Sequence, residues 1–235
     1  MGMQVSAQQP VLILGGFLIT DEAYASMASR IHATSGAQVE IVPMSRFDWL
    51  STSRASGWRH CLDRVDAFVC RLQTESETGR ITLIGHSSGG VMLRPYLSNQ
   101  SFVGRCYQGS RYCNRLITLG SPHQAKRATP LRAEVDRRFP GCPQPEEVDT
   151  VAVAGMLDLA GPTASWFSRF SAQRSYRQIN GDGAWVGDGL VPLESALLHD
   201  AHFVKLRDTA HGGLFGSAWY GSDNQVDQWW SAACR

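Results

Sequence analysis

The chain has 235 residues, a formal net charge of +1 and a sequence pI near 7.7. This length suits a single domain over 1–235, and the balanced charge argues against nucleic acid as a partner. No apolar run approaches the roughly 20 residues that a membrane-spanning helix needs. The first ten residues, MGMQVSAQQP, lack the charged start and apolar core of a secretory signal, so we expect a cytoplasmic protein.

Six cysteines are spread along the chain without a C-x-x-C pair, so the sequence does not predict a zinc site. Cys106 and Cys113 flank the polar loop CYQGSRYC and could close a local disulfide. In a reducing cytosol we expect free thiols instead.

The first third of the chain alternates strand and helix patterns. VLILGG at 11–16 is a continuous apolar run ended by glycine, which is typical of a strand buried on both faces. Residues 21–35 have helical spacing and end at Gly36, and VEIVP at 39–43 predicts a second strand. After a polar loop holding Phe47, Asp48 and Trp49, apolar positions between 58 and 72 mark one face of a second helix.

Four more strands are predicted at 81–84 (ITLI), 115–120 (RLITLG), 150–155 (TVAVAG) and 202–206 (HFVKL). Because most are separated by helix-length segments, the pattern predicts an α/β fold with a mostly parallel central sheet and helices on both faces. Residues 121–150 and 156–173 interrupt the alternation, and the second segment carries large apolar side chains. We interpret them as small cap or lid excursions within about 121–175.

The stretch RITLIGHSSGGVMLRPYL places G-x-S-x-G directly between a predicted strand and a predicted helix. In that context the motif predicts Ser87 as a nucleophile on a strained turn, with Gly85 and Gly89 small enough to avoid collision. The helix start would offer the Ser88 N–H to a developing oxyanion. The alternative is a plain glycine-serine turn, as in proteins that only cradle a phosphate, although no Lys follows as in G-K-[ST].

A serine nucleophile of this kind requires a downstream acid and then a histidine. GDGAWVGDGLVP offers Asp182 and Asp188; we choose Asp188, because Asp182 precedes glycine in a turn signal. His211, in the AHGG that follows the last predicted strand, is the candidate base. Phe17, at the end of LGGF, is the candidate for the second oxyanion N–H, with a plain βα turn as the alternative.

The candidate pocket residues are Gly16, His86, His123, Trp166 and Phe167. His86 stands beside the nucleophile and is predicted either to pack or to line the pocket. His123, in GSPH, is placed at the pocket edge, and the two aromatic residues belong to the apolar excursion.

The motifs LILGGF, GHSSGG, TLGSPH, GDGLVP and AHGG resemble those of the α/β-hydrolase superfamily, in its lipase-like branch. SRFDWL, YRQINGDGAWVGDGLVP and WYGSDNQVDQWW are similar to small lipase-like hydrolases of cyanobacteria and chloroplasts, so the resemblance runs over about 11–230. It implies a triad of Ser87, Asp188 and His211, with Phe17 and Ser88 as oxyanion donors. One departure is Gly15-Gly16, where many lipases carry His-Gly; this changes the pocket and leaves the N–H donor in place.

The motifs and the resemblance together predict a serine hydrolase. It would cleave carboxylic esters of hydrophobic, acyl-lipid-like substrates through an acyl-enzyme. No metal or cofactor is needed. The expected partner is a small-molecule or lipid ester, with at most transient contact with a membrane surface. An acyl thioesterase would use the same triad, and a non-catalytic binding protein on this fold is a further alternative.

Overall fold

The computed structural model describes residues 9–182 and 184–234. The expectation for the first ten residues therefore lies outside the described part of the chain, apart from Gln9 and Pro10. Within the described ranges, no helix combines the length and apolarity needed to cross a membrane.

A six-stranded parallel sheet forms the centre of the fold. Its strands are β1 Val11–Leu14, β2 Val39–Ile41, β3 Ile81–His86, β4 Cys113–Leu119, β5 Asp149–Met156 and β6 His202–Arg207. The sheet confirms the predicted parallel arrangement, and β3, the strand that leads to Ser87, lies between β1 and β4. Across the sheet the strands lie in the order β2-β1-β3-β4-β5-β6.

Helices cover both faces of the sheet, as predicted. They are α1 Ala25–Ser35, α2 Arg46–Ser51, α3 Ala55–Glu75, α4 Ser88–Leu97, α5 Pro130–Arg138, α6 Trp166–Asn180, α7 Leu193–Ala196 and α8 Asp223–Ala233. One apolar core includes α3 and α4, and the other includes α1 and α8. Leu12 belongs to the first core and Ile13 to the second, because successive strand residues point to opposite faces.

Several elements differ from the sequence expectations. The loop expected around Phe47 is instead the short helix α2, which begins with a capping box between Ser45 and Asp48. The helix expected over 21–35 starts as one 3-10 turn, Asp21–Tyr24, before α1 begins. The sequence pattern does not predict helices α5 and α8. Helix α6 continues to Asn180, beyond the end of the predicted excursion.

The chain between β3 and α4 has the strained conformation that G-x-S-x-G predicts. Ser87 has φ 52° and ψ −123°, a left-handed backbone that costs a non-glycine residue about 1–3 kcal/mol. A Cβ atom at Gly85 would lie 2.3 Å from Gly90 Cα, and one at Gly89 would lie 2.3 Å from the carbonyl oxygen of Leu14. The small residues are therefore required by backbone contacts on both sides of Ser87.

Gly85→Ala should destabilise the protein by at least about 2 kcal/mol, because the clashing atoms are backbone and cannot rotate away. Urea unfolding would measure this loss. Gly213→Ala is the matched control, since a Cβ there meets nothing within 4 Å. Equal stability of the two variants would contradict this account of the turn.

Candidate active site

Asp188 and His211 meet at the carboxyl edge of the sheet. His211 lies four residues beyond the end of β6, and Asp188 lies in the loop that follows α6. The Nδ1 atom of His211 is 2.8 Å from Oδ2 of Asp188, and the His211 N–H donates to the Asp188 carbonyl oxygen at 2.8 Å. Both side chains are almost fully buried. The two residues that the sequence selected as acid and base are thus paired through side chain and backbone.

The Asp188 carboxylate accepts four hydrogen bonds. Its Oδ1 receives the N–H groups of Leu190 at 3.1 Å and Val191 at 2.8 Å. Its Oδ2 receives the Tyr220 hydroxyl at 2.9 Å as well as His211 Nδ1. Because an ionised carboxylate can only accept, Nδ1 of His211 carries a proton, and in the neutral ring the lone pair is then on Nε2. This is the tautomer that a general base requires.

Ser87 and His211 line one cavity of about 760 Å³, which we name the catalytic cavity after these two candidate residues. Within the described residues, no hydrogen bond joins the Ser87 hydroxyl to His211. Of the two contacts expected in the triad, the one between Asp188 and His211 is therefore formed and the one between His211 and Ser87 is not. Such contacts are often long in ligand-free enzymes and tighten when substrate binds.

The two predicted oxyanion donors border the same cavity. Phe17 and Ser88 both line it, and among the described residues the Phe17 N–H donates no hydrogen bond. Ser88 is the first residue of α4, where N–H groups have no partner inside the helix. A Cβ atom at Gly16 would lie 2.8 Å from Ser87 Cβ, so the Gly16–Phe17 segment runs directly beside the predicted nucleophile.

A buried hydrogen-bonded chain connects this segment to the His211 loop. The Gly16 N–H donates to the Tyr24 hydroxyl at 2.8 Å, and that hydroxyl donates to Nδ1 of His86 at 2.8 Å. Nε2 of His86 in turn donates to the His211 carbonyl oxygen at 2.9 Å. The direction follows from the last contact, since a carbonyl only accepts and His86 Nε2 must carry the proton. The chain therefore joins the loops that carry Phe17, Ser87 and His211.

His86 is fully buried and does not line the cavity, so of the two roles predicted for it the structure assigns packing. Burial holds the pKa of His86 well below its ordinary value. The neighbouring His211 ring acts in the same direction, because two protonated rings would repel each other. Burial also raises the pKa of Tyr24. Both groups are therefore neutral near pH 7, as their hydrogen bonds require. Tyr24 belongs to no motif found in the sequence, and Tyr220 lies in the stretch WYGSDNQVDQWW without a signal that would assign it to the site.

Other predicted pocket residues lie away from Ser87. His123 is buried, contacts the Thr118 hydroxyl at 3.0 Å and lines a separate cavity of about 440 Å³. Trp166, which is 74% exposed, projects from the start of α6. Phe167 reaches the catalytic cavity only through its ring contact with Phe215, at 5.6 Å between centroids. The last turns of α6 supply the lining instead, through Ser175, Gln178 and Ile179, and the last two of these lie beyond the predicted excursion.

An apolar pocket of about 430 Å³ adjoins the catalytic cavity. The two spaces share Phe17, Ser88, Pro122, Arg127 and Ile179. The walls of the apolar pocket that the cavity does not share include Trp49, Leu50, Trp58, Val91 and Met92. A molecule bound at Ser87 can therefore extend along the catalytic cavity or into the apolar pocket.

Comparison with known proteins gives the family. The model of the palmitoyl protein thioesterase family matches residues 10–176, about 71% of the chain. The chain belongs to this family. The match includes the turn at Ser87 and ends before Asp188 and His211. No relative among curated proteins matches the chain.

Solved structures share the fold at low identity. A protein from Xanthomonas campestris pv. campestris, described as a hydrolase of the α/β superfamily, is 13% identical with a TM-score of 0.52, over 95% of this chain and 97% of its own. Est1E from Butyrivibrio proteoclasticus, solved with ferulic acid, is 12% identical with a TM-score of 0.53, over 96% and 86%. The family and the fold together confirm the resemblance found in the sequence: the chain is a hydrolase of the α/β-hydrolase superfamily.

Tyr24→Phe should lower the free energy of unfolding by about 1–3 kcal/mol, because it leaves the buried Gly16 N–H and His86 Nδ1 without a partner. Denaturant unfolding measures the effect. Tyr112→Phe serves as the control, since the Tyr112 hydroxyl makes no hydrogen bond among the described residues. A loss no greater than in Tyr112→Phe would show that the buried chain contributes nothing.

Proposed function

We propose that the protein is a carboxylic ester hydrolase in which Ser87 is the nucleophile, His211 the base and Asp188 the orienting acid. The observation that carries the proposal is the 2.8 Å contact between His211 Nδ1 and Asp188. It gives the neutral ring the tautomer with its lone pair on Nε2, and this ring lines the same cavity as Ser87. No comparable acid–histidine pair borders this cavity elsewhere in the described chain.

The proposed reaction has two halves. His211 takes the Ser87 proton as the hydroxyl attacks the ester carbonyl, and then returns it to the leaving alcohol. The N–H groups of Phe17 and Ser88 stabilise the oxyanion, each worth about 2.7–4 kcal/mol in the transition state. Water activated by His211 releases the acyl group in the second half. Four hydrogen bonds hold Asp188 in place while the imidazolium forms.

Ser87→Ala should lower kcat for p-nitrophenyl butyrate by at least about 10³-fold, because no other group can form the acyl-enzyme. A fluorophosphonate probe should label the parent protein once, at Ser87. Steady-state kinetics and intact-protein mass spectrometry measure the two effects.

Ser88→Ala is the matched control for this test. It removes the neighbouring hydroxyl and keeps the N–H proposed as an oxyanion donor, so its kcat should stay within about tenfold of the parent. Full activity in Ser87→Ala, or labelling at another residue, would contradict the proposed nucleophile. Absence of labelling and turnover in the parent protein would favour a binding protein on a hydrolase fold.

The neighbouring pocket supports a hydrophobic acyl chain as the group transferred to Ser87. Its lining is rich in apolar side chains, and both oxyanion donors stand where it meets the catalytic cavity. Each methylene buried there stabilises the complex by about 0.8 kcal/mol. We therefore propose acyl esters of medium or long chain as the substrate class.

Leu50→Asp should selectively impair long-chain substrates, because it places a carboxylate in the wall of the apolar pocket. The kcat/KM for p-nitrophenyl decanoate should fall about tenfold relative to that for the acetate. Phe47→Asp is the control, since Phe47 lies on the same helix, is 83% exposed and does not line the pocket. A parallel loss for both esters would place the acyl chain elsewhere.

An acyl thioester is the second candidate substrate, and the family supports it by its description as palmitoyl protein thioesterases. The same serine, base and oxyanion donors would serve, since thioester cleavage also passes through an acyl-serine. Comparing kcat/KM for an acyl thioester and the oxygen ester of the same chain length separates the two candidates.

A further inference from the structure

Three arginines surround an open depression next to the catalytic cavity. Arg127, Arg174 and Arg177 line it together with Gln178 and Asp182, and its volume is about 1040 Å³. All three arginine side chains are exposed. With one carboxylate among them, the side chains of this depression carry a net charge of about +2 at neutral pH.

The three arginines of this depression share the lack of an acidic partner within the described part of the chain. Among the described residues, Arg127, Arg174 and Arg177 form no ion pair and no side-chain hydrogen bond. Eight other arginines each lie against a carboxylate: Arg30, Arg64, Arg71, Arg94, Arg105, Arg115, Arg132 and Arg138. Since the whole chain has a net charge of only +1, an uncompensated cluster is a local feature.

The depression continues into the catalytic cavity. Arg127 and Gln178 line both spaces. Arg174 and Gln178 are four residues apart on α6 and Arg177 is three from Arg174, so all three face the same side of that helix. The Lys126 N–H donates to the Ile179 carbonyl oxygen at 2.8 Å, which fixes the Arg127 segment against α6. A substrate at Ser87 can thus extend over Arg127 into the depression.

The chemistry of its lining assigns the depression to the leaving group, since position alone does not: Arg127, Ala128 and Thr129 also line the apolar pocket. The apolar pocket, which meets the cavity at Phe17 and Ser88, takes the acyl chain in the function proposed above. The depression is lined by arginine, glutamine and threonine, with Asp182 and a single apolar side chain, Ala128, so it suits the polar part that leaves with the alcohol or thiol.

We propose that the depression formed by Arg127, Arg174 and Arg177 binds a phosphate group on the leaving-group side of an acyl ester or thioester. Guanidinium groups present paired N–H donors that match phosphate oxygens, and several of them together suit a multiply charged group better than a single carboxylate. This inference rests on the proposed hydrolase function and adds the chemical class of its substrate. Phosphate could come from a thioester of a phosphorylated thiol or from a phosphorylated lipid.

Two pairs of substrates test the proposal. In the thioester pair, octanoyl-coenzyme A is compared with octanoyl-N-acetylcysteamine, which has no phosphate. In the ester pair, octanoyl glycerol phosphate is compared with octanoyl glycerol. For at least one pair we expect the parent protein to show a kcat/KM about tenfold higher for the phosphorylated member. This preference should weaken as ionic strength rises, because the depression is open to solvent.

The double variant Arg174→Gln/Arg177→Gln should reduce that ratio of kcat/KM values about tenfold. Arg137→Gln/Arg207→Gln is the control, since it removes the same two charges from exposed arginines that do not line the depression. The pair whose ratio depends on Arg174 and Arg177 identifies the source of the phosphate.

Two results would overturn the proposal. One is a parent protein that hydrolyses the substrates without preferring the phosphorylated member of either pair. The other is a ratio that changes equally in the two double variants, which would reflect net charge alone. Failure of the proposed function is a distinct outcome, recognised by the absence of turnover for all four substrates and of fluorophosphonate labelling at Ser87.

Discussion

The left-handed backbone at Ser87 is the constraint from which the organisation of the site follows. The surrounding structure stabilises this strained conformation, because β3 lies inside the sheet and α4 packs closely against it. Gly85 and Gly89 allow the close backbone contacts on either side of Ser87. The turn raises one hydroxyl above the carboxyl edge of the sheet and exposes the N–H of Ser88 at the helix start. Every other element of the site is arranged around that fixed point, since parallel strands deliver their following loops to the same edge.

Buried polar contacts, rather than the motifs themselves, hold those loops together. Asp188 receives four donors, and the Tyr24–His86 chain spans the loops after β1, β3 and β6. In a buried setting each of these groups is costly to leave without a partner, so the native arrangement is favoured over alternatives that break any of them. The first loop and the His211 loop are therefore coupled through His86, a side chain that never reaches the cavity.

The spaces around Ser87 differ in chemistry, and this difference underlies the proposed substrate. An apolar pocket opens toward α2, α3 and α4, whereas an arginine-lined depression opens along α6. An amphiphile with an apolar acyl chain and a charged head would satisfy both. Helix α6, which the sequence marked only as an apolar excursion, contributes to the catalytic cavity and to the charged depression with adjacent residues of its last turns.

The sequence by itself determined the alternation of strands and helices, the strained turn at Ser87 and the selection of Asp188 over Asp182, because each is written in local patterns of apolar residues, glycine and turn chemistry. It also carries the capping signal of α2, Ser45 and Asp48, although the polar composition of this segment predicts a loop. Only the tertiary structure decided that His86 packs beneath the site and that Trp166 projects into solvent. It also decided that the Tyr24 hydroxyl hydrogen-bonds to His86 and the Tyr220 hydroxyl to Asp188. Those outcomes depend on contacts between residues far apart in the chain, and no local periodicity encodes which distant side chain will arrive beside another.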